Sequence, residues 1–475
     1  YWKDEGKEWD SNTPEEELWV YNCKDCVVTY EVSDVLDAQI DHLQLRDQYN
    51  FQMKMFRHAL YAMLRGVRIN KELRATVAME LSEAGSQYEA WFQNLIGPDV
   101  HEPPKSKTAK PWYRSPQQQV KLFYDELGIK PVTNRKTGRP TADDDALKKI
   151  GKREPVLSPL TDALANYRSI GVLYSTFIKA PLDPDGRVRC SYNVAGTDTF
   201  RFSSSKNAFG GGMNLQNITS GEELEDFKNK LHFQLPNLRK LFIPDRGYTL
   251  MATDLDRADL YVVVWEADDD ELKQMLREGV NIHVENAKTI FPGTDCSPSK
   301  LASSSYHKAK QGVHATNYGC KARTLAAELG ITIREAEDFI KRWLSAHPGI
   351  RQWHRRVEES LATTRSVSNA FGYRIRFFER IESLLPEALA WIPQSTVALI
   401  INKGWDNIEE NLPWVQVLLQ VHDELVLQVP KDMLHKRDEI EQQMLITVPY
   451  EHPLVIPVGA TAGPSWGECK DIDWK

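Results

Sequence analysis

The chain has 475 residues, 41% hydrophobic and 27% charged, so it can bury enough apolar surface to fold and is not a disordered polymer. At roughly 150 residues per domain, that length corresponds to about three domains or one multi-lobed enzyme. The net charge of −8 excludes a protein held to nucleic acid by bulk charge but leaves room for a local basic track.

In chain order, residues 36–89 read as helices. Apolar positions recur at helical spacing from Phe51 to Met63, and Gly66 serves as a C-cap. Polar stretches follow at 101–116 and 131–141. Residues 101–155 hold 13 Lys/Arg against 7 Asp/Glu. Lys105, Lys107, Lys110, Arg114, Arg135, Lys136 and Arg139 fall on loops there, which suits gripping a phosphate backbone; a solvated surface is the plainer alternative. Another helical stretch spans about 156–179. Strand signals begin at Val188, residues 205–221 read as loop around Gly210-Gly211-Gly212, and Tyr248 to Thr253 is a β-prone run ending in Asp254. Helices dominate 271–408, with a start expected at Ser297–Pro298 and an interruption at Gly349. Strands return at 414–419, 425–429 and 454–461. Strands on both sides of a helical block imply one sheet assembled from separated segments.

The six cysteines, among them Cys23 and Cys26 in a C-x-x-C, are scattered. Neither a disulfide framework nor a zinc site is indicated, and two helical cysteines in a reducing compartment are expected. No apolar run approaches the ~18 residues of a membrane span. The polar, acidic stretch Tyr1–Asp10 is unlike a signal peptide.

Three segments carry chemistry. The first is Thr253-Asp254-Leu255-Asp256 at a strand end. The second is Val421-His422-Asp423-Glu424-Leu425, where two apolar strands meet without a spacer, placing Asp423 at a hairpin tip. Acidic residues at turns are routine taken singly. Together they put two carboxylates on the rim of one sheet, the oxygen ligands that a pair of hard cations such as Mg²⁺ requires. The third is Lys310 to Gly319, in which Lys310, His314 and Tyr318 recur every four residues and share one helix face. A cation, an imidazole and a phenol on one stripe suit a nucleotide, although an amphipathic surface helix has the same pattern.

In order and spacing these segments resemble the family A DNA polymerases (DNA polymerase I-like). The likeness extends to Thr199-Phe200-Arg201-Phe202-Ser203-Ser204-Ser205 followed by Asn214-Leu215-Gln216-Asn217-Ile218, to Leu238–Pro244, Asn281-Ile282-His283, Phe371-Gly372-Tyr373-Arg374, Pro393–Thr396 and Gly463-Pro464-Ser465-Trp466. Tyr21-Asn22-Cys23-Lys24-Asp25 resembles the last motif of the 3′–5′ exonuclease that precedes the polymerase in that family. Only twenty residues come before it, so the chain is expected to begin inside that domain and not to proofread by itself.

The resemblance implies an α+β, right-hand polymerase: an exonuclease remnant at 1–36, thumb and connecting helices at 37–180, palm at 181–262 and 396–475, and fingers at 263–395. It implies a primer-dependent, template-directed DNA polymerase using two Mg²⁺ ions, with Mn²⁺ able to substitute. Asp254 and Asp423 would hold the metals, with the Leu255 carbonyl completing a shell and Glu424 in support. Lys310 would bind the triphosphate and protonate pyrophosphate, His283 would touch the phosphates, and Tyr318 would close over the templating pair. Arg201, Gln394 and His422 would lie at the primer terminus or minor groove. Asp259 stands where Glu usually crowds a ribose 2′-OH. Primer–template DNA and dNTPs are the implied partners, replisome proteins such as a helicase–primase are compatible ones, and a cytoplasmic monomer without membrane association is expected.

Several positions depart from the family pattern. Tyr306 replaces an Arg, His314 a Phe or Tyr, Phe200 a Gly, and Ala390 an Asn; the His-x-x-Asn-Tyr-Gly form points to a phage or viral branch. Rival readings are a single-subunit RNA polymerase and a DNA-binding protein without catalysis.

Overall fold

The structure, a computed structural model, describes residues 14–97, 100–101, 110–134, 137–207, 210–220, 235–299, 304–378 and 384–471. Lys105, Lys107, Arg135, Lys136 and residues 221–234 lie outside them. The chain divides into two units, Tyr1–Arg57 and His58–Lys475.

The first unit holds helix α1 (Glu15–His42) and the start of α2 (Arg46–Arg65). Three glutamates in the first turn of α1 complement the helix dipole. At its other end Arg46 ties to Asp37 at 2.6 Å and Asp41 at 2.8 Å. No side chain of α1 is buried, and Cys23 and Cys26 are free and exposed on it. The helix runs unbroken through residue 36, where the exonuclease remnant was expected to end.

In the second unit β1 (Val67–Ile69) follows Gly66, whose φ of +62° reverses the chain after α2. This strand falls inside the segment read as helical. Helices α3 (Lys71–Leu95), α4 (Pro116–Val120), α5 (Asp144–Arg153) and α6 (Ser158–Val172) come next. Asn70, Ser115 and Asp143 cap α3, α4 and α5 by accepting main-chain N–H bonds. Phe92, fully buried, is ringed by Trp112, Tyr113 and Tyr167 at centroid distances of 5.4, 5.4 and 5.6 Å. Arg114 pairs with Glu89 and donates to the Tyr167 hydroxyl at 2.8 Å. It therefore braces this helical region from a short helical turn, with its side chain still half exposed.

Strands β2 (Arg187–Val188), β3 (Ser191–Asn193), β4 (Ser203–Ser205), β5 (Phe242–Ile243) and β6 (Tyr248–Leu255) precede the helical block. Its elements are α7 (Ala258–Ala267), α8 (Asp270–Arg277), α9 (Ile282–Ile290), α10 (Ser305–Asn317), α11 (Ala322–Leu329), α12 (Ile333–Ala346), α13 (Pro348–Thr364), hairpin β7 (Ser366–Ser368) and β8 (Arg374–Arg376), and α14 (Leu385–Asn411). The chain closes with β9 (Gln416–Val421), β10 (Glu424–Pro430), α15 (Arg437–Met444), β11 (Thr447–Val448), β12 (Leu454–Val455) and β13 (Val458–Gly463).

The main sheet is antiparallel, in the order β13-β6-β10-β9. It joins one strand from before the helical block to three from after it, as the sequence implied. The earlier strands stay outside it: β2, β1 and β5 form their own sheet, and β3 pairs with β4. The central strand β6 is buried continuously from Thr249 to Thr253, as expected of a strand covered on both faces.

Two helical expectations are corrected. Among the described residues no helix starts at Ser297–Pro298; α10 starts at Ser305, where the Ser304 side chain accepts the His307 N–H. The break before α13 falls at His347, ahead of Pro348, while Gly349 lies in the first turn of α13. A Cβ on Gly349 would come within 2.4 Å of the Ala267 carbonyl, so close approach to α7 explains the glycine. Helix α14 also runs unbroken across the expected fingers–palm boundary at 395/396, even through Pro393.

Gly312 lets α10 lie against α12. A Cβ there would meet three ring atoms of Phe339 at 2.3, 2.7 and 2.9 Å, and that ring is only 2% exposed. Gly312→Ala should therefore lower stability by about 1–2 kcal/mol, because overpacking outweighs the helix propensity gained. Denaturant unfolding checks this; an unchanged midpoint would show that Phe339 can yield.

Candidate active site

The apolar sequences of β9 and β10 bury both strands, leaving polar residues for the two-residue turn His422-Asp423. His422 takes the left-handed conformation, φ +59°, an unusual state for a residue with a side chain. Across the sheet Glu424 pairs in register with Asp254, and the Leu255 N–H donates to the Asp423 carbonyl at 3.4 Å. Asp254 and Asp423, remote in sequence, thus lie one register position apart at the same sheet rim.

The rim is electrostatically crowded. Asp254 is exposed, yet the protein around it displaces part of its water; that desolvation, then the charges of Asp423 and Glu424, raises its pKa to about 7. Glu424 accepts from Trp466 Nε1 at 2.8 Å and faces Arg239 Nη1 at 3.4 Å. The Arg239 guanidinium in turn lies 4.2 Å from the Trp466 ring centre. Burial still pushes the Glu424 pKa up. Glu424 is thus engaged by the protein itself. Asp256 is exposed and pairs with Arg257 at 2.6 Å.

Behind this rim, Asp259 in the first turn of α7 stands 3.6 Å from Arg201 Nη2. Burial raises its pKa against the opposing effects of Arg201 and His314. Burial, then the Asp259 charge, also raises that of Tyr318. Arg201 Nε and His283 Nδ1 are buried without a hydrogen-bond partner, whereas the Asp259 carboxylate faces both Arg201 and the Tyr318 hydroxyl. Such atoms are costly in a native fold unless a ligand or solvent meets them.

Helix α10 presents Lys310 and His314 to solvent. Tyr318 falls just past its end as the C-cap, and the His314 and Tyr318 rings meet edge to face at 4.7 Å. The helix end is fixed by Asn317, which accepts from Trp343 Nε1 through its side chain and bonds His354 through its carbonyl, each at 2.8 Å. His283, in the first turn of α9, stands edge-on to Tyr306 at 6.1 Å. Its pKa falls to about 4, chiefly through burial and then through Lys310 and Arg257; the ring is neutral at neutral pH.

Arg201, Gln394 and His422 line one cavity of about 400 Å³, with Trp391 and Thr197 in its wall. Burial, then the Arg201 charge, lowers the His422 pKa. The anticipated residues thus fall into three neighbourhoods: Asp254, Leu255, Asp423 and Glu424 on the rim; Arg201, Gln394 and His422 around the cavity; and His283, Lys310, His314 and Tyr318 on the helical block. Arg201 and Asp259 link the second to the third.

Sequence reasoning missed Gln420 and Tyr192, which hold the hairpin. The Tyr192 hydroxyl donates to the Gln420 carbonyl and accepts its N–H, both at 3.1 Å. Gln216 Nε2 donates to Gln420 Oε1 at 3.0 Å, and Gln420 Nε2 donates to the His422 carbonyl at 2.8 Å. A glutamine inside the apolar run of β9 was the available signal, because a buried amide needs partners.

The fold is similar to that of a solved structure described as the POL domain of Pol1 from M. smegmatis in complex with DNA primer-template and dNTP. The TM-score is 0.72 at 20% identity, covering 88% of this chain and 70% of that one. The architecture is accordingly the right-hand polymerase fold. A sequence model of DNA polymerase family A matches residues 106–468, and the chain belongs to that family. It is 30% identical over 426 residues to a thermostable DNA polymerase I of Thermus filiformis, covering 86% of this chain and 46% of that relative. It is 28% identical over 373 residues to DNA polymerase I of Pseudomonas aeruginosa, covering 74% and 38%. The chain thus spans about half the length or less of these relatives. Among the described residues no helix is long and apolar enough to cross a membrane.

Proposed function

We propose that the chain is a template-directed, primer-dependent DNA polymerase that joins deoxynucleotides to a primer 3′-OH. The observation that carries this reading is the pairing of β6 with β10, which brings Asp254 and Asp423 to one rim. The Arg201–Gln394–His422 cavity and the Lys310 face of α10 supply places for the primer end and the incoming nucleotide.

Family A DNA polymerases are metal-dependent enzymes. The residues here fit hard dications: two carboxylates and a main-chain carbonyl, all oxygen donors, with a charge repulsion that a cation relieves. Among the described residues no group of three or more His, Cys, Asp and Glu side chains that could hold a metal ion is present. Asp254, Asp423 and the Leu255 carbonyl would hold two Mg²⁺ ions, or Mn²⁺ in their place. The bound ions would supply a more acidic 3′-OH and neutralise phosphate charge.

The protein groups then divide the work. Asp254 and Asp423 fix the positions at which charge is met. Lys310, carried on a helix whose far end is fixed through Asn317, reaches the phosphates and can give a proton to the leaving pyrophosphate. His283, being neutral, offers a hydrogen bond and no second cation. Tyr318 and Asp259 border the sugar and the templating pair. Arg201, Gln394 and His422 engage the primer terminus through features common to all correct pairs. Glu424 braces the rim through Trp466 and Arg239.

The test is extension of a primed template by the full chain in Mg²⁺, with dNTPs and rNTPs in parallel reactions. Robust extension with dNTPs is expected. Extension with rNTPs alone would assign the chain to RNA synthesis, and extension with neither would leave only DNA binding.

A further inference from the structure

Phe200 adopts φ +60°, a backbone state that residues with bulky side chains rarely occupy. Its ring is held on two sides. It meets Tyr373 edge to face at 5.0 Å and 81°, and Trp391 at 6.4 Å and 65°. Tyr373 closes the turn of the β7–β8 hairpin, and Trp391 lies on α14. The hairpin and the helix are themselves joined: Asn369 receives the Tyr373 N–H on its Oδ1 at 3.0 Å and donates from Nδ2 to Ser395 Oγ of α14 at 2.9 Å. The loop is also pinned on either side of the ring. Trp391 Nε1 donates to the Asp198 carbonyl at 2.7 Å, and Asn402 Nδ2 to the Phe200 carbonyl at 3.5 Å.

The next residue is Arg201, whose Nη2 faces Asp259 and whose Nε is buried without a hydrogen-bond partner. We infer that Phe200 is a positioning residue for Arg201. With its ring seated between hairpin and helix, it fixes a reversed backbone that aims the guanidinium into the cavity shared with Gln394 and His422. A glycine would reach the same φ freely and keep the two main-chain hydrogen bonds, but it would lose the ring contacts that hold the loop to hairpin and helix. This rests on the proposed role of that cavity at the primer terminus.

The test uses the full chain and a primer–template with 2-aminopurine at the primer 3′ end, read by binding without nucleotide so that chemistry is not required. The measured quantity is preference for this junction over blunt duplex of equal length. Phe200→Gly removes the ring while suiting the backbone, and Phe200→Leu replaces it should the glycine variant not fold. The ring-less variant should lose about five- to tenfold in junction preference, the equivalent of two edge-to-face contacts. Phe200→Tyr should retain the parental value. Combining the ring-less change with Arg201→Ala should cost no more than Arg201→Ala alone, because both remove one function. Losses that multiply, or a fall in thermal stability with junction preference intact, would reduce Phe200 to a packing residue. In that event dNTP extension by the parent would still support the polymerase reading. A parent with neither junction preference nor extension would overturn both.

Discussion

Asp254→Asn should cut primer extension by at least about 10³-fold, more than the 10²–10³ typical of losing one neutral hydrogen-bond donor at a reacting centre, because here a charged ligand is lost. The change is isosteric and lies at the open end of β6, so the sheet register should survive. Affinity for primer–template should change less than about threefold, since duplex binding is dominated by cationic contacts to phosphates, which a carboxylate does not make. Rapid-quench extension and equilibrium DNA binding measure the two effects separately. A variant that extends primers at the parental rate would remove Asp254 from the chemistry. In the presence of a chelator the same variant should be at least as stable as the parent at pH 8. The folded-state pKa of Asp254 is about 7, above the roughly 4 of a free aspartate. The folded protein therefore binds the proton more tightly, and the parent loses stability as pH rises through that interval. The advantage of the asparagine should vanish below about pH 4, where both states are protonated.

Lys310→Ala should slow nucleotide incorporation by about 10²-fold or more, the scale of losing a charge that meets a transferring phosphoryl group, and should raise the KM for dNTP. Lys310 is exposed on α10, and alanine is a good helix former, so stability should move by less than about 0.5 kcal/mol. Primer–template affinity should change less than about twofold, since one uncontacted cation contributes little to it. A second readout needs no substrate. Lys310 is one of the charges holding the His283 pKa near 4, so an NMR titration should find that value raised in the variant. Equal losses in incorporation and DNA affinity would make Lys310 a duplex contact instead.

The parts of the fold readable from the sequence are those in which one physical signal dominated. An apolar run ending in Asp254 and two apolar strands meeting without a spacer at Asp423 defined the rim, because buried strands force their polar residues to the ends. The four-residue spacing of Lys310, His314 and Tyr318 defined the face of α10, although Tyr318 falls just beyond the last helical turn. Strands β1, β7 and β8 were not readable, since three residues display no period. The start of α10 was misplaced because Ser297–Pro298 has the composition of a helix start, while the serine that caps the helix is Ser304. Pairings such as Arg201 with Asp259, or Gln216 with Gln420, depend on the whole sheet being assembled and leave no local trace. Phe200 was noticed only as an odd residue; its backbone and its two ring partners give it a reason.

The indole of Trp466 ties Glu424 to a segment that looks like a tail. Beside it β13 pairs with β6, and Ala462 and Lys470 exchange two main-chain hydrogen bonds, 3.0 and 3.1 Å long. Trimming the chain back to residue 460 would thus strip the half of β13 that pairs with Leu250, Met251 and Ala252 and, with Trp466 gone, release the Glu424 carboxylate beside Asp423. Shortened versions for crystallisation should keep everything through Lys470.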